Sequence, residues 1–286
     1  MRVGAWQFDV VRGDVRGNRA AAERGLEAAA REGVELLLLP EMWPTSFLSS
    51  FGSEDPVGSL APAVEASVEA LGAVGERAAE LGLAVAGSAF APGPAGELPY
   101  NRFSIQSGGQ QVLHYDKTHL FTLTAEHLAF TAGEQPPRSV ALEARDGRQV
   151  RVSGLVCYDL RFGPVVDAAV ADGAELLLVP AQWPTTRSAH FDGLIAGRAV
   201  EAQAFVVGCN RTGTESLGRR RDPLDFGGGS LIIGPDGSRC SGKALRDEAL
   251  VIGELDPEQA RDLRRQVRVR DDRRDALYRR WSLGET

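Results

Sequence analysis

An α/β fold, built as a four-layer αββα sandwich from two pseudo-twofold-related βαβ halves, is predicted by three features of this 286-residue chain. Short apolar runs alternate with Ala-rich stretches of helical character. A segment recurs: Gly33-Val-Glu-Leu-Leu-Leu-Leu-Pro-Glu-Met-Trp-Pro-Thr45 aligns with Gly173-Ala-Glu-Leu-Leu-Leu-Val-Pro-Ala-Gln-Trp-Pro-Thr185 at a constant offset of 140 residues. The composition, 43% apolar and 25% charged, suits a globular protein with a large core. The offset is too long for a solenoid period. It implies two mixed sheets, each with helices on one face, burying their bare faces against each other.

Val3–Phe8 reads as the first strand. Asn18–Glu32 reads as a helix with Asn18 at its N-cap. The continuous apolar run Glu35–Leu39 reads as a strand buried on both faces. Val64–Leu81 reads as helix and Leu83–Ala89 as strand. Asn101–Ser107 and Gln111–Tyr115 flank Gly108-Gly109, which marks a hairpin turn. The second half repeats the order: strand Val150–Val156, helix Pro164–Asp172, strand Glu175–Val179, helix Phe191–Ala202, strand Phe205–Cys209. A hairpin through Gly234-Pro-Asp-Gly237 and a last strand, Ala249–Leu255, follow. One domain is expected over 1–258. Residues 259–286 form an Arg-rich C-terminal extension, with nine Arg and four Asp between Arg261 and Arg280, suited to a solvated tail or a subunit contact.

The formal net charge of −7 argues against nucleic acid or an anionic membrane as partner. Cys157, Cys209 and Cys240 are too few and too widely spaced for a disulfide framework, and point to a reducing compartment. Strand residues begin at Val3 without a basic-plus-apolar leader, and no apolar stretch approaches the ~20 residues of a membrane helix. A soluble cytoplasmic protein is the expectation.

The informative residue is Cys157, at the end of the strand in Val150-Arg-Val-Ser-Gly-Leu-Val-Cys-Tyr-Asp-Leu-Arg-Phe162. A thiol exposed at that junction, beside backbone N–H groups and the N-terminus of a helix, is favoured as thiolate and stands next to donors for an oxyanion. Glu41 and Lys117 occupy comparable places at the ends of other apolar runs. Glu41 follows Leu and Pro, and a carboxylate at the mouth of an apolar strand suits a general base. Its counterpart in the second half is Ala181: a structural carboxylate belongs in both copies, a chemical one in only one. Lys117 is one of only two lysines, so it is not one of a generic surface supply. An ammonium there can hold a thiolate or an oxyanion. Glu126, in Phe121-Thr-Leu-Thr-Ala-Glu-His-Leu-Ala-Phe130, can orient Lys117 or a hydrolytic water.

A Cys–His enzyme is the rival, with His114, His119, His127 and His190 as candidate bases, none in a local protease signature. The histidine spacings match no common zinc pattern, so no metal is expected. Gly237-Ser-Arg-Cys-Ser-Gly-Lys-Ala244 approaches a phosphate-binding loop but ends in Ala244, which has no hydroxyl for Mg²⁺, and a hairpin tip accounts for it better.

With these residues in place the chain resembles the nitrilase superfamily of carbon–nitrogen hydrolases over residues 1 to about 256. Leu-Pro-Glu41, Tyr-Asp-Lys117-Thr-His-Leu-Phe and Cys157-Tyr-Asp-Leu-Arg-Phe occur in that family's order. The resemblance implies a Glu41–Lys117–Cys157 triad, Glu126 as an auxiliary glutamate, a sandwich fold, back-to-back dimers and no cofactor. Trp183-Pro-Thr-Thr-Arg-Ser and Val207-Gly-Cys-Asn-Arg-Thr-Gly213 extend it toward the ω-amidase subgroup, which hydrolyses 2-oxoglutaramate and related ω-amides. Gly163-Pro164 and Gln182 depart from that pattern, which has an immediate Pro and an Asn. A small amide substrate is therefore expected. The backbone of Tyr158 would donate to the oxyanion, Arg161 or Arg187 would receive a substrate carboxylate, and Phe47 and Trp183 would wall the pocket.

Overall fold

The computed structural model describes residues 1–50, 52–216, 222–244 and 246–284. Its first half runs β1 (Arg2–Gln7), α1 (Val15–Arg31), β2 (Leu36–Leu38), α2 (Pro56–Glu80), β3 (Ala84–Ala91), β4 (Tyr100–Ser107) and β5 (Gln110–Asp116). The second half runs β6 (Ser139–Glu143), β7 (Gln149–Gly154), α3 (Gly163–Ala171), β8 (Leu176–Ala181), α4 (Ser188–Ala202) and β9 (Phe205–Asn210). Then come β10 (Thr212–Glu215), β11 (Leu224–Gly227), β12 (Leu231–Ile233), β13 (Ala249–Glu254), α5 (Pro257–Gln266) and α6 (Asp275–Ser282).

The two halves share a plan. β1, β2 and β3 are parallel, flanked by antiparallel β13 on one side and the β4–β5 hairpin on the other, giving the order β13-β1-β2-β3-β4-β5. β7, β8 and β9 are likewise parallel, flanked by antiparallel β6 and β12 in the order β12-β9-β8-β7-β6.

Alternate residues of each strand serve alternate layers. Leu37, Leu39 and Val85 pack against Ala22, Leu26, Val74 and Ala78 of α1 and α2. Leu36, Leu38, Ala84 and Phe103 belong instead to the core shared with Val152, Leu176 and Leu178 of the second sheet. A Cβ on Gly154 would come within 2.2 Å of the Phe103 ring, so the sheets meet there over a residue without a side chain. Gly208 faces Phe191 and Ile195 of α4, whereas the next residue, Cys209, points the other way and its Sγ donates to the Trp6 carbonyl at 3.3 Å. The layers run helix, sheet, sheet, helix. Each fully buried Leu of this core contributes about 2–3 kcal/mol.

Several boundaries differ from expectation, each for a physical reason. α1 is capped by Asp14, whose Oδ1 accepts the Gly17 N–H at 2.9 Å, and not by Asn18. Asn18 lies inside the helix, where its amide accepts from Val11 N–H and donates to the carbonyls of Val11 and Pro44. α2 starts at Pro56 behind an Asp55 cap and carries Pro62 within it. By length and composition it could cross a bilayer, but Leu60, Ala63, Ala70, Val74 and Ala78 are buried in the protein. The edge strand β6 and the β10–β11 ribbon were not legible as strands, being short and partly polar. The Gly234–Gly237 turn forms a hairpin tip whose short return arm makes a single isolated bridge, Arg239 to Ile233, with backbone bonds at Ser238 and Cys240 on either side. The Arg-rich segment folds into α5 and α6. Arg261 reaches Glu175 and the Gln149 carbonyl, and Arg264 binds the carbonyls of Ala174 and Gln203.

Candidate active site

Glu41, Lys117 and Cys157 follow the C-terminal ends of β2, β5 and β7, the end at which open α/β sheets present their chemistry. The chain turns sharply beside Glu41 and Glu126 and at Cys157. Met42, just after Glu41, has φ 49°; Ala125, just before Glu126, has φ 58°; Cys157 itself has φ 45°. Left-handed backbone costs a non-glycine residue about 1 kcal/mol or more and is held only where surrounding contacts enforce it.

The Lys117 ammonium is buried and donates to Glu41 Oε1 at 2.8 Å, to Glu126 Oε2 at 2.8 Å and to Glu126 Oε1 at 3.1 Å. Glu41 is also fully buried. Its Oε1 accepts from Asn101 Nδ2 at 2.9 Å and its Oε2 from the Gln182 backbone N–H at 3.0 Å. Glu126 Oε2 takes a further bond from Phe121 N–H at 3.0 Å. Two carboxylates around one ammonium sum to −1 in a desolvated space, so the cluster has a standing affinity for one proton.

The electrostatics follow from that sum. Burial alone would push Lys117 down, but the Glu126 and Glu41 carboxylates outweigh it and hold the ammonium well above its ordinary range. Burial pushes Glu126 up, against the pull of Lys117 and with the push of Glu41, to about 7. Cys157 departs from expectation: it is buried, not exposed, and burial together with Glu41 drives its thiol well above the usual range despite Lys117. The resting sulfur is therefore a thiol, and its proton must leave as it attacks. The Gln182 backbone N–H, which donates to Glu41 Oε2, works against that rise and pulls the Cys157 thiol down.

The 3₁₀ turn Cys157–Arg161 is pinned to the Lys117 loop by Asp159. Its fully buried carboxylate accepts from His119 N–H at 3.0 Å, the His119 ring at 2.8 Å, Tyr115 Oη at 3.0 Å and Val156 N–H at 3.3 Å. Tyr158 lies in the first turn of this helix, where backbone N–H groups lack intrahelical acceptors.

Of the expected pocket residues, Phe47 sets its ring 5.9 Å from the Lys117 nitrogen. Tyr158 packs against Phe121 and Phe162. Trp183 donates from Nε1 to the Arg187 carbonyl at 2.9 Å and carries the Arg161 guanidinium at 4.8 Å over its ring. Arg161 also meets the His190 ring at 3.3 Å. Neither Arg161 nor Arg187 forms an ion pair among the described residues. His119 stacks on Phe162 and faces Asp159, so it is engaged away from the Glu41–Lys117–Glu126 cluster. Among the described residues, no three His, Cys, Asp or Glu side chains are grouped to hold a metal ion.

Sequence reasoning missed Asn101, Asp159 and Arg211, and read Gln182 only as a departure from a pattern. Hairpin register was the available signal for Asn101. A two-residue turn at Gly108-Gly109 alone would set Tyr100 opposite Lys117. The bulge between Ile105 and Gln106 shifts the pairing by one, so that Arg102 faces Asp116 and Asn101 joins Lys117, whose N–H donates to the Asn101 carbonyl at 3.0 Å.

Comparison with known proteins follows the same residues. Residues 2–265 match the family model described as carbon-nitrogen hydrolase. The chain is 31% identical over 280 residues to the 2-oxoglutaramate amidase of Bacillus subtilis, covering 96% of this chain and 98% of that protein. It is 33% identical over 232 residues to the omega-amidase YafV of Escherichia coli K12, covering 81% of each. Among solved structures it resembles an amidase from Nesterenkonia sp. AN1, with a TM-score of 0.80, 27% identity and coverage of 98% of this chain and 99% of that one. A mutant of that amidase, at TM-score 0.78, 28% identity and coverage of 98% and 96%, shows covalent addition of the acetamide moiety of fluoroacetamide at its active site cysteine.

Proposed function

Because the chain belongs to the carbon-nitrogen hydrolase family, we propose that this amide-hydrolysing, cysteine-dependent enzyme acts on small ω-amides of the 2-oxoglutaramate type, releasing ammonia and a carboxylate. The observation that carries the chemistry is the buried Lys117 ammonium shared by Glu41 and Glu126 beside the Cys157 thiol. The names of the Bacillus and Escherichia relatives support the substrate class.

In the proposed sequence the Cys157 sulfur attacks the amide carbonyl carbon while its proton passes to Glu41. Oε1 of Glu41 already accepts two bonds, from Lys117 and Asn101, whereas Oε2 accepts one, from the Gln182 N–H, so Oε2 is the oxygen with a lone pair left for the proton. Lys117 Nζ and the Tyr158 backbone N–H hold the oxyanion of the tetrahedral intermediate. Glu41 returns the proton to nitrogen, the C–N bond breaks, ammonia leaves and a thioester remains. Water then attacks the thioester; Glu41 takes a proton from it and delivers that proton to the departing sulfur, which restores the thiol. Glu126 keeps the ammonium aimed between base and sulfur.

A distal carboxylate on the substrate requires a free guanidinium. Arg161, on the same turn as Cys157 and unpaired with any acid among the described residues, is the favoured receiver, with Arg187 next. Assembly as a dimer belongs to the same proposal; the exposed Tyr278, Trp281 and Leu283 offer apolar surface for it.

Ammonia release is the test, measured on 2-oxoglutaramate, succinamate, an uncharged short amide, N-carbamoyl amino acids and simple nitriles, with Cys157→Ala as control. Turnover of the first two, abolished in the control, is expected. Arg161→Ala should raise KM for the carboxylated amides and leave the uncharged amide unchanged. Turnover confined to carbamoyl amino acids or nitriles would replace the substrate assignment. Ammonia release by Cys157→Ala at the wild-type rate would remove the nucleophile.

A further inference from the structure

We propose that Gln182, locked in place by the buried Arg211, is a positioning residue that holds Glu41 to receive the Cys157 proton. The inference rests on reading Glu41 as that acceptor. Gln182 grips Glu41 twice: its backbone N–H donates to Oε2 at 3.0 Å, and its side-chain Nε2 donates to the Glu41 carbonyl at 2.9 Å. The second bond exists only while the amide is oriented nitrogen toward Glu41. That orientation is fixed from the other end, where Gln182 Oε1 accepts from Arg211 Nη1 at 3.1 Å and from Ser46 Oγ at 3.4 Å.

Arg211 is suited to this task because it has no freedom of its own. It is 1% exposed. Nη1 also binds Ser46 Oγ and Glu215, Nη2 donates to Asp9 at 2.9 Å, Nε donates to the Thr212 carbonyl at 3.0 Å, and the guanidinium lies 4.7 Å from the centre of the Phe226 ring. A guanidinium with only donors compels the facing amide to present its oxygen. A chain of fixed donors and acceptors therefore runs from Arg211 through Gln182 to Glu41, crossing from the second half of the molecule to the first. An amide one methylene shorter at 182 should lose at least one of these two partners.

The test reads the thiol directly and needs no amide substrate. The rate of Cys157 alkylation by iodoacetamide is followed against pH by peptide mass mapping, which separates it from the partly exposed Cys240. Gln182→Met keeps the volume and the backbone N–H but removes both side-chain bonds. It should slow Cys157 alkylation about five- to tenfold near neutral pH, the worth of one or two neutral hydrogen bonds, and move the pH profile upward. Gln182→Asn should behave alike. Arg211→Lys should slow alkylation in the same direction, and the double variant Gln182→Met/Arg211→Lys should be no slower than Gln182→Met alone, because both act through one contact. Thermal melts check the fold, and if Arg211→Lys does not fold, the two Gln182 variants carry the test.

Glu41→Gln separates the two levels of the argument. If it alkylates at the wild-type rate with an unmoved profile, the acceptor reading itself fails. If Glu41→Gln is slow while Gln182→Met and Gln182→Asn match wild type, the positioning role of Gln182 is overturned. Independent, multiplicative effects in the double variant would overturn the link through Arg211.

Discussion

Glu35 and Glu175 stand at the same place in the two halves and make the same contacts to the neighbouring strands. Each donates its N–H to the carbonyl at the edge of the neighbouring strand, Arg2 or Arg151, at 2.8 Å, and each carbonyl accepts from the next strand, at Ala84 or Phe205. Each side chain accepts the N–H of that same Arg. Six residues further on the halves part company: Glu41 faces Lys117 in the first, while Ala181 in the second is a buried methyl. Next to them Met42 is an apolar core residue, and its counterpart Gln182 crosses over to grip Glu41. At these positions the kept residue, glutamate, builds the sheet, and the two exchanged pairs, Glu41/Ala181 and Met42/Gln182, lie at the candidate site.

The sharpest way to break this comparison is to exchange the two kinds of glutamate. Glu41→Gln should lower kcat for ammonia release at least ~10³-fold, since it removes the proton acceptor, and should leave urea unfolding unchanged or slightly stabilised. Glu175→Ala should keep kcat within about twofold while costing about 2–3 kcal/mol in the same unfolding measurement, because it strands the Arg151 N–H and releases Arg261. The comparison fails if Glu175→Ala is the inactive variant.

Next in size is Lys117→Ala, expected to lower kcat ~10²- to 10³-fold as the loss of one oxyanion donor. Alanine at His114, His127 or His190 in turn should leave kcat within about tenfold. An inactive histidine variant beside an active Lys117→Ala would hand the site to the Cys–His alternative.

The pH profile gives a smaller effect with a definite sign. Burial raises Glu126 above the ordinary carboxylate range, to about 7. Above that pH the group is ionised and aims Lys117; as the pH falls through about 7 it takes up a proton and the ion pair loosens. kcat/KM should therefore fall on the acid side with a limb near 7. Glu126→Gln should flatten that limb and lower the plateau about tenfold; an unchanged acid limb in that variant would assign the titration elsewhere.

The smallest effects are structural and confined to the first half. Asp14→Ala should cost about 1 kcal/mol, the usual worth of an N-cap. Asn18→Ala should cost about 2 kcal/mol, because it strands the Val11 backbone and the Pro44 carbonyl. Denaturation midpoints for the pair measure the difference, and α3, which has no side-chain cap on its N-terminal residue Phe162, provides the contrast.

Legibility followed local physics. Leu36–Leu38 and Leu176–Ala181 are fully buried strands, so their apolar runs speak for themselves. The helices α1 to α4 were legible, though not the first turns of α1 and α2, where Asp14 and Asp55 cap earlier than the apolar pattern begins, and α5 and α6 were not, because their Arg-rich sequence read as a solvated extension. β6 and β10 were not legible, because edge strands with exposed positions carry only a weak alternation. Within the site, Glu41, Lys117 and Cys157 stood out as reactive types at strand ends. Asn101, Gln182, Asp159 and Arg211 did not, because nothing in an amide, an acid or a guanidinium reveals whether its partners come from a distant strand.

The order of residues by itself determined the α/β class and the doubled βαβ plan and singled out three candidate reactive groups, since hydrophobic period and residue chemistry are local properties. Only the folded arrangement decided that the ammonium would sit between two carboxylates, that the thiol would be buried and protonated, and that a bulge in one hairpin would bring Asn101 to the base. Those outcomes depend on solvent exclusion and strand register, which exist only once distant segments have packed.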